Sequence, residues 1–378
     1  MNSCKNMIAL TAGLLLAASP VHAAVIMTCD GHPIRWPSSS VHFRAGAKSF
    51  ASPSQQSDLL TIFSLFEQNP SPFDLSLTFG DTNIALKNSQ NEIAFTKYYF
   101  DEHPIFGGVE IGQDDCWGNF GGPDILESDV LFNATKSWQR SPSALASKVK
   151  GYGGSAKVES LPLTALHELG HSSGLRHEGY EYNVMGAGNH EHSNGWPDPW
   201  VRVYLGEDAS SAMTDLLYGQ RAGSYEDVAV THWEWTSASK VEEYVYSNHG
   251  PVRLFMFADK TSPIWEVEGH WLLAPGEHVF VAFGLENLGK STQTVGLKWF
   301  LSTNSLITTY DQVIGTGSIT LKQGRVDYPI IELIMPPVDE PTEYWLGIII
   351  DPANALSESI ESNNATYLQG PLLVKPFG

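Results

Sequence analysis

From residue 41 onward the apolar and polar positions follow two different periods. Val41-His42-Phe43-Arg44 and the run from Phe73 to Phe79 alternate, so each predicts a half-buried strand with one face on a core. Between them, Ser54 to Phe66 carries Leu59, Leu60, Phe63 and Phe66 at the spacing of an amphipathic helix. Further strands are predicted at Glu92 to Tyr99 and at Asp129 to Asn133, and a second helix over Leu161 to Ser173. The Gly- and Asp-rich stretch from Gly107 to Asp124 reads as a loop. After Tyr218-Gly219 the helical period disappears. Short strands then follow one another, separated by turn signals at Asn248-His249-Gly250-Pro251, Ala274-Pro275-Gly276 and Glu286-Asn287-Leu288-Gly289, a spacing that predicts an all-β sandwich.

The chain has 378 residues, 42% of them hydrophobic, enough for two domains with cores of their own. The formal charge of -20 gives a surface that repels nucleic acid and anionic membranes. Lys5, the apolar run from Met7 to Ala18 and the small-x-small ending at Ala23 predict a signal peptide over residues 1–23. No later stretch is long and apolar enough for a membrane span, so a secreted, soluble protein is expected. Cys4 would leave with the signal. Cys29 and Cys116 then remain as an even pair in an oxidising compartment, where a disulfide is the expected outcome. The competing reading makes Cys29 a thiolate that holds a metal site shut.

The residues that carry chemistry are His167-Glu168-Leu169-Gly170-His171-Ser172-Ser173-Gly174-Leu175-Arg176-His177. On a helix, His167 and His171 share a face and can bind one metal ion. Glu168 lies beside that face, able to take a proton from a water the metal activates. Gly174 can adopt a positive φ that ends the helix and lets His177 return as third ligand. Three protein ligands leave one position open, the arrangement of a catalytic zinc.

The eleven residues match the metzincin signature of zinc peptidases, and Tyr182-Asn183-Val184-Met185-Gly186 resembles the family's Met-turn, which implies Met185 beneath the metal. Arg35-Trp36-Pro37 and the stretch from Leu205-Gly206-Glu207-Asp208 to Leu216-Leu217-Tyr218-Gly219 look like the matrixin catalytic domain, whose last helix the latter would be. Ala187, two after Met185, leaves no counterpart to the tyrosine ligand of astacins and serralysins, and no folded propeptide fits before Arg35. Trp299 to Tyr367 resembles a CARDB-type Ig-like bacterial domain through Phe300-Leu301-Ser302-Thr303-Asn304, Tyr344-Trp345-Leu346-Gly347 and Glu358-Ser359-Ile360-Glu361-Ser362-Asn363-Asn364, among others.

These resemblances imply an α+β metzincin domain at 24–221, with a mixed twisted sheet, an active-site helix and a C-terminal helix. A linker follows at 222–226, then an all-β Ig-like sandwich at 227–378. They imply a zinc-dependent endopeptidase acting on protein or peptide substrates, which would pair with an exposed edge strand at Ser128 to Phe132. The sandwich would serve attachment to a surface or matrix ligand, or act as a spacer. Asp114, Asp115, Asp124 and Asp129 could hold structural calcium, since carboxylate oxygens suit a hard cation. His190-Glu191-His192 could line the cleft or bind another metal, with a solvated polar loop as the plainer reading. The rival from another class is a non-catalytic adhesin with a relic zinc site. A hydrolase of non-peptide amides shares the same metal chemistry.

Overall fold

The computed structural model describes residues 25–29, 31–82, 88–97, 107–113, 124–140, 159–177, 184–185, 193–194, 202–203, 209, 212–222, 226–231, 233–241, 244–304, 306–368 and 370–376. Features expected at residues 1–23, at Asp114, Asp115 and Cys116, and at 190–192 lie outside these. The described residues are mostly β-sheet with few helices.

Apolar side chains collect into two large separate cores, one drawn from Cys29 to Leu217 and one from Val228 to Val374. The first surrounds a five-stranded sheet ordered Asp74–Gly80, Ser40–Gly46, Asn91–Thr96, Ile125–Asn133, Gly107–Gln113. All pairings in it are parallel except the last. Alternation dictates its faces: Val41, Phe43 and Ala45 are buried while Ser40, His42 and Arg44 face water. Helix α1 (Pro53–Phe66) starts on a capping box of Ser52 and Gln55 with Pro53 in its first turn. It buries Leu59, Ile62, Phe63 and Phe66, whereas Leu60 is exposed. One residue on from Leu59 is a rotation of about 100°, which carries Leu60 off the stripe that Ile62 completes.

Two expectations are corrected in this unit. Gly107–Gln113 is a strand rather than a loop, antiparallel to Ile125–Asn133. Among the described residues it is therefore the sheet edge, and Ile125–Asn133, which includes Ser128 to Phe132, lies inside the sheet, with Val130 to Phe132 paired on both sides. Main-chain pairing needs no side chain, so a glycine-rich strand leaves little apolar alternation to read. Near the end of the unit, Ala209 is helical and Met213–Tyr218 forms a π-helical turn that stops at Gly219 with φ 78°.

In the second core, Gln293–Ser302 lies between Thr342–Ile350 and Gln312–Leu321 in the largest sheet. Trp299 is buried to 1% exposure with Gly315 opposite it in register, a position where a β-carbon would come 3.3 Å from the indole. Asn248 to Pro251, expected as a turn, belongs to the strand Tyr244–Pro251 that pairs with Trp233–Val241. Arg221 touches both units: its N–H donates to Pro70 O at 2.8 Å, its guanidinium meets Asp74 at 3.0 Å, and its carbonyl accepts from Lys290 Nζ.

Candidate metal centre

Helix α2 (Leu161–Ser172) is buried at every position except His171, which is half-buried, so it runs through the core rather than across the surface. It ends in a Schellman turn: Leu175 N–H reaches Gly170 O and Gly174 N–H reaches His171 O, both at 3.0 Å, with Gly174 at φ 101°. A β-carbon at Gly174 would also lie 2.5 Å from Ile34 O, so sterics demand glycine there twice over.

That turn returns His177 to the helix. Among the described residues, His167, His171 and His177 are the one group of three histidine, cysteine or carboxylate side chains with donor atoms all within 4.8 Å of one another. Nε2 of His167 and Nε2 of His177 are 3.1 Å apart. Two nitrogens at about 2.0–2.1 Å on a tetrahedral ion would stand roughly 3.3 Å apart, so the rings fit such an ion. His167 Nδ1 lies 2.8 Å from Val184 O and His171 Nδ1 lies 2.8 Å from Leu175 O. A carbonyl only accepts, so Nδ1 carries the proton on both rings and Nε2 is left with its lone pair for a metal.

The rings also stay neutral, as ligands must. Burial, then the neighbouring His171 and His177, hold His167 well below the usual imidazole range. Burial lowers His171 to about 4, with Arg176 adding to it against the bond to Leu175. His177 falls to about 3 through burial, then His171 and Arg176. Glu168 is 2% exposed, and burial alone pushes its carboxyl up to about 8. A divalent cation held by the three histidines would favour the ionised carboxylate and draw that value down.

The surroundings hold this geometry. Met185 is buried against Gly170, where a β-carbon would come 2.3 Å from Met185 Sδ. Trp36 Nε1 donates to Ser172 O at 2.7 Å. Tyr218 Oη donates to Ser173 O at 2.7 Å and accepts from Trp36 N–H at 3.2 Å, and Arg35 donates to Leu217 O. Ser128 Oγ donates to Ser172 Oγ at 2.9 Å, tying the sheet to α2. Residues 25–27 run alongside the metal loop: Met27 N–H donates to Gly174 O at 2.7 Å and Arg176 N–H to Val25 O at 2.9 Å. The carbonyls of Val184 and Leu175 were not singled out from sequence, although both residues adjoin or lie within the motif.

Of the other candidates, Cys29 is disulfide-bonded, so its sulfur is not a free thiolate; the expected partner, Cys116, is outside the described residues. The main chain of Asp124 forms an isolated β-bridge with that of Arg35, and the buried Asp129 accepts from Glu92 N–H at 2.9 Å. Neither belongs to a converging set of three among the described residues. No described helix is long and apolar enough to cross a membrane.

No family model and no curated protein matches the chain. Solved structures similar to it include the CARDB domain of a Pyrococcus furiosus protein, in complex with di-metal ions, at 11% identity and a TM-score of 0.25, covering 42% of this chain and 100% of that one. The solution structure of the same domain aligns at 13% identity and a TM-score of 0.22 over 33% of this chain and 94% of that one. A Listeria innocua β-glucosidase in complex with glucose gives 12% identity and a TM-score of 0.22 over 43% of this chain and 19% of that one. A CARDB domain is thus among the chain's structural neighbours, and likeness at this level carries none of those proteins' binding or activity over to it.

Proposed function

We propose that the chain is a secreted zinc endopeptidase of the metzincin type, matrixin-like in its first unit, with a CARDB-type Ig-like domain behind it for attachment or substrate targeting. One observation carries this reading: three neutral histidines converge, two with Nδ1 tied to carbonyls, and α2 places the buried carboxyl of Glu168 next to His167. The mixed sheet with an antiparallel edge strand supports the metzincin fold. His167, His171 and His177 would hold the ion. Zinc bound there supplies a Lewis acid that polarises a carbonyl and acidifies water toward a pKa of about 7.

The protein's own work is positional. Val184 O and Leu175 O aim two of the rings, and the dry helix around Glu168 keeps that carboxyl from being solvated and strengthens its pull on a proton. Glu168 takes the proton of the attacking water and passes it to the leaving amine. A peptide would add to the outer side of Gly107–Gln113, the antiparallel edge strand among the described residues, through main-chain hydrogen bonds.

The second reading, an adhesin with a relic metal site, keeps the same histidines without turnover. Zinc content and cleavage of casein and gelatin, measured together on wild type and Glu168→Ala, distinguish the two. Zinc in both with cleavage only in wild type supports the peptidase; zinc without cleavage in either favours the adhesin.

A further inference from the structure

The segment from Glu358 to Asn364, for which the peptidase reading has no use, folds against the first strand of the second unit. Ser359 N–H donates to Glu226 O at 2.9 Å, and Glu358 Oε2 accepts Val228 N–H at 2.9 Å. Between these contacts sits Asp227, 0% exposed. Asn363 Nδ2 donates to Asp227 Oδ1 at 3.2 Å, whereas Asp227 Oδ2 is buried with no hydrogen-bond partner. Asn364, 8% exposed, gives its Nδ2 to Glu358 Oε1 at 2.9 Å, and its Oδ1 likewise has no hydrogen-bond partner. Glu286 is fully buried on the neighbouring strand, opposite Ala229.

Both atoms left over at Asp227 and Asn364 are acceptor oxygens. Buried acceptors without a donor are rare in folded chains, and a buried carboxylate without a counter-charge is rarer. Burial raises the Asp227 carboxyl well above the usual range; the bond from Asn363 opposes this, and the charges of Glu358, Glu286 and Glu361 add to it. Every charge acting on Asp227 there is a carboxylate. A cation would satisfy the charge and the orphaned oxygens together. The donors are all oxygen, which suits a hard ion rather than zinc or copper.

We propose that the second unit carries a calcium site, with Asp227 Oδ2 and Asn364 Oδ1 as ligands and Glu358 and Glu286 contributing the neighbouring negative charge. Among the described residues these carboxyls do not form a converging group of three as the histidines do, so main-chain and water oxygens would complete the roughly six to eight ligands of calcium. Mixed amide, carboxylate and carbonyl ligands in a loose shell fit calcium better than the small octahedron of magnesium. The site is independent of the metal centre on α2 and of the peptidase reading. It fastens the Glu358–Asn364 segment to the strand that opens the sandwich.

The test is calcium titration of the full zinc-loaded chain, at constant free zinc, by calorimetry and by thermal unfolding. Wild type is expected to bind calcium and to gain melting temperature with rising calcium, because a ligand that binds only the folded state stabilises it by mass action. Asp227→Asn and, as a second variant, Asn364→Ser each lower calcium affinity at least tenfold, and magnesium at equal concentration does not reproduce the shift. No calcium response up to about 10 mM, above the weakest extracellular calcium modules, would overturn the proposal. So would binding that survives both substitutions, which places the ion elsewhere, or an equal response to magnesium.

Discussion

His167 Nδ1 stands 2.8 Å from Val184 O, so the first histidine of the triad is aimed by the residue immediately before Met185. Gly170, on the same helix, is the surface against which Met185 packs. The helix and the downstream turn therefore meet twice within one turn of α2, once by hydrogen bond and once by close packing. A shift of either moves the ring.

Gly170→Ala tests the packing half of that relationship. Its new β-carbon would sit 2.3 Å from Met185 Sδ, in a helix with no slack around it. Overpacking of this kind destabilises by about 1–3 kcal/mol, read as a lower melting temperature. Met185→Ala in the same chain should recover part of the loss, and a purely additive double mutant would argue against the contact.

Gly174→Ala strikes the loop instead. It puts a side chain at φ 101° and 2.5 Å from Ile34 O, so the expected result is loss of zinc affinity through displacement of His177. Zinc competition against a chromophoric chelator measures it; unchanged affinity would mean that the loop tolerates the alanine.

Removing the base should separate binding from turnover. Glu168→Gln keeps the three histidines and is expected to retain zinc while hydrolysis falls roughly 10²–10⁴-fold, the usual contribution of general acid–base catalysis.

Tyr218→Phe deletes a hydroxyl that donates to Ser173 O and accepts from Trp36 N–H. Two buried main-chain groups lose a partner, and unfolding in denaturant should show a loss of about 1–3 kcal/mol.

A pH profile reads the second unit. Burial, the largest cause, pushes Glu358 up to about 7 from an ordinary 4.5, against the bonds from Val228 N–H and Asn364 and with the charges of Glu361 and Asp351. A carboxyl raised in the folded state contributes stability that is complete below its unfolded pKa and is lost as pH rises through the folded one. In calcium-free buffer the melting temperature of the second unit should fall between about pH 4.5 and 7, and Glu358→Gln should flatten that slope.

What was legible in the sequence was local. The eleven residues from His167 to His177 carry their own geometry, because helical spacing and one positive-φ glycine suffice to bring the rings together. Strands such as Ser40–Gly46 announced themselves by alternation. Gly107–Gln113 was hidden because its glycines interrupt the pattern and its pairing is made by main chain. Tyr244–Pro251 was misread because Asn248-His249-Gly250-Pro251 has turn composition inside a paired strand. Asp227 and the Asn363-Asn364 pair are 136 positions apart at their hydrogen bond, a separation over which periodicity says nothing.

The pairing of residues 25–27 with the loop that bears His177 ties the candidate metal centre to the start of the first unit. Two backbone hydrogen bonds, from Met27 N–H to Gly174 O and from Arg176 N–H to Val25 O, flank the Ile26–Leu175 bridge and join stretches distant in sequence, so part of what holds the loop bearing His177 comes from that early segment. Any metal held by the three histidines would feel a disturbance of residues 25–27 through this pairing. A tag or ragged cut just ahead of Val25 should loosen the ion before it disturbs anything else.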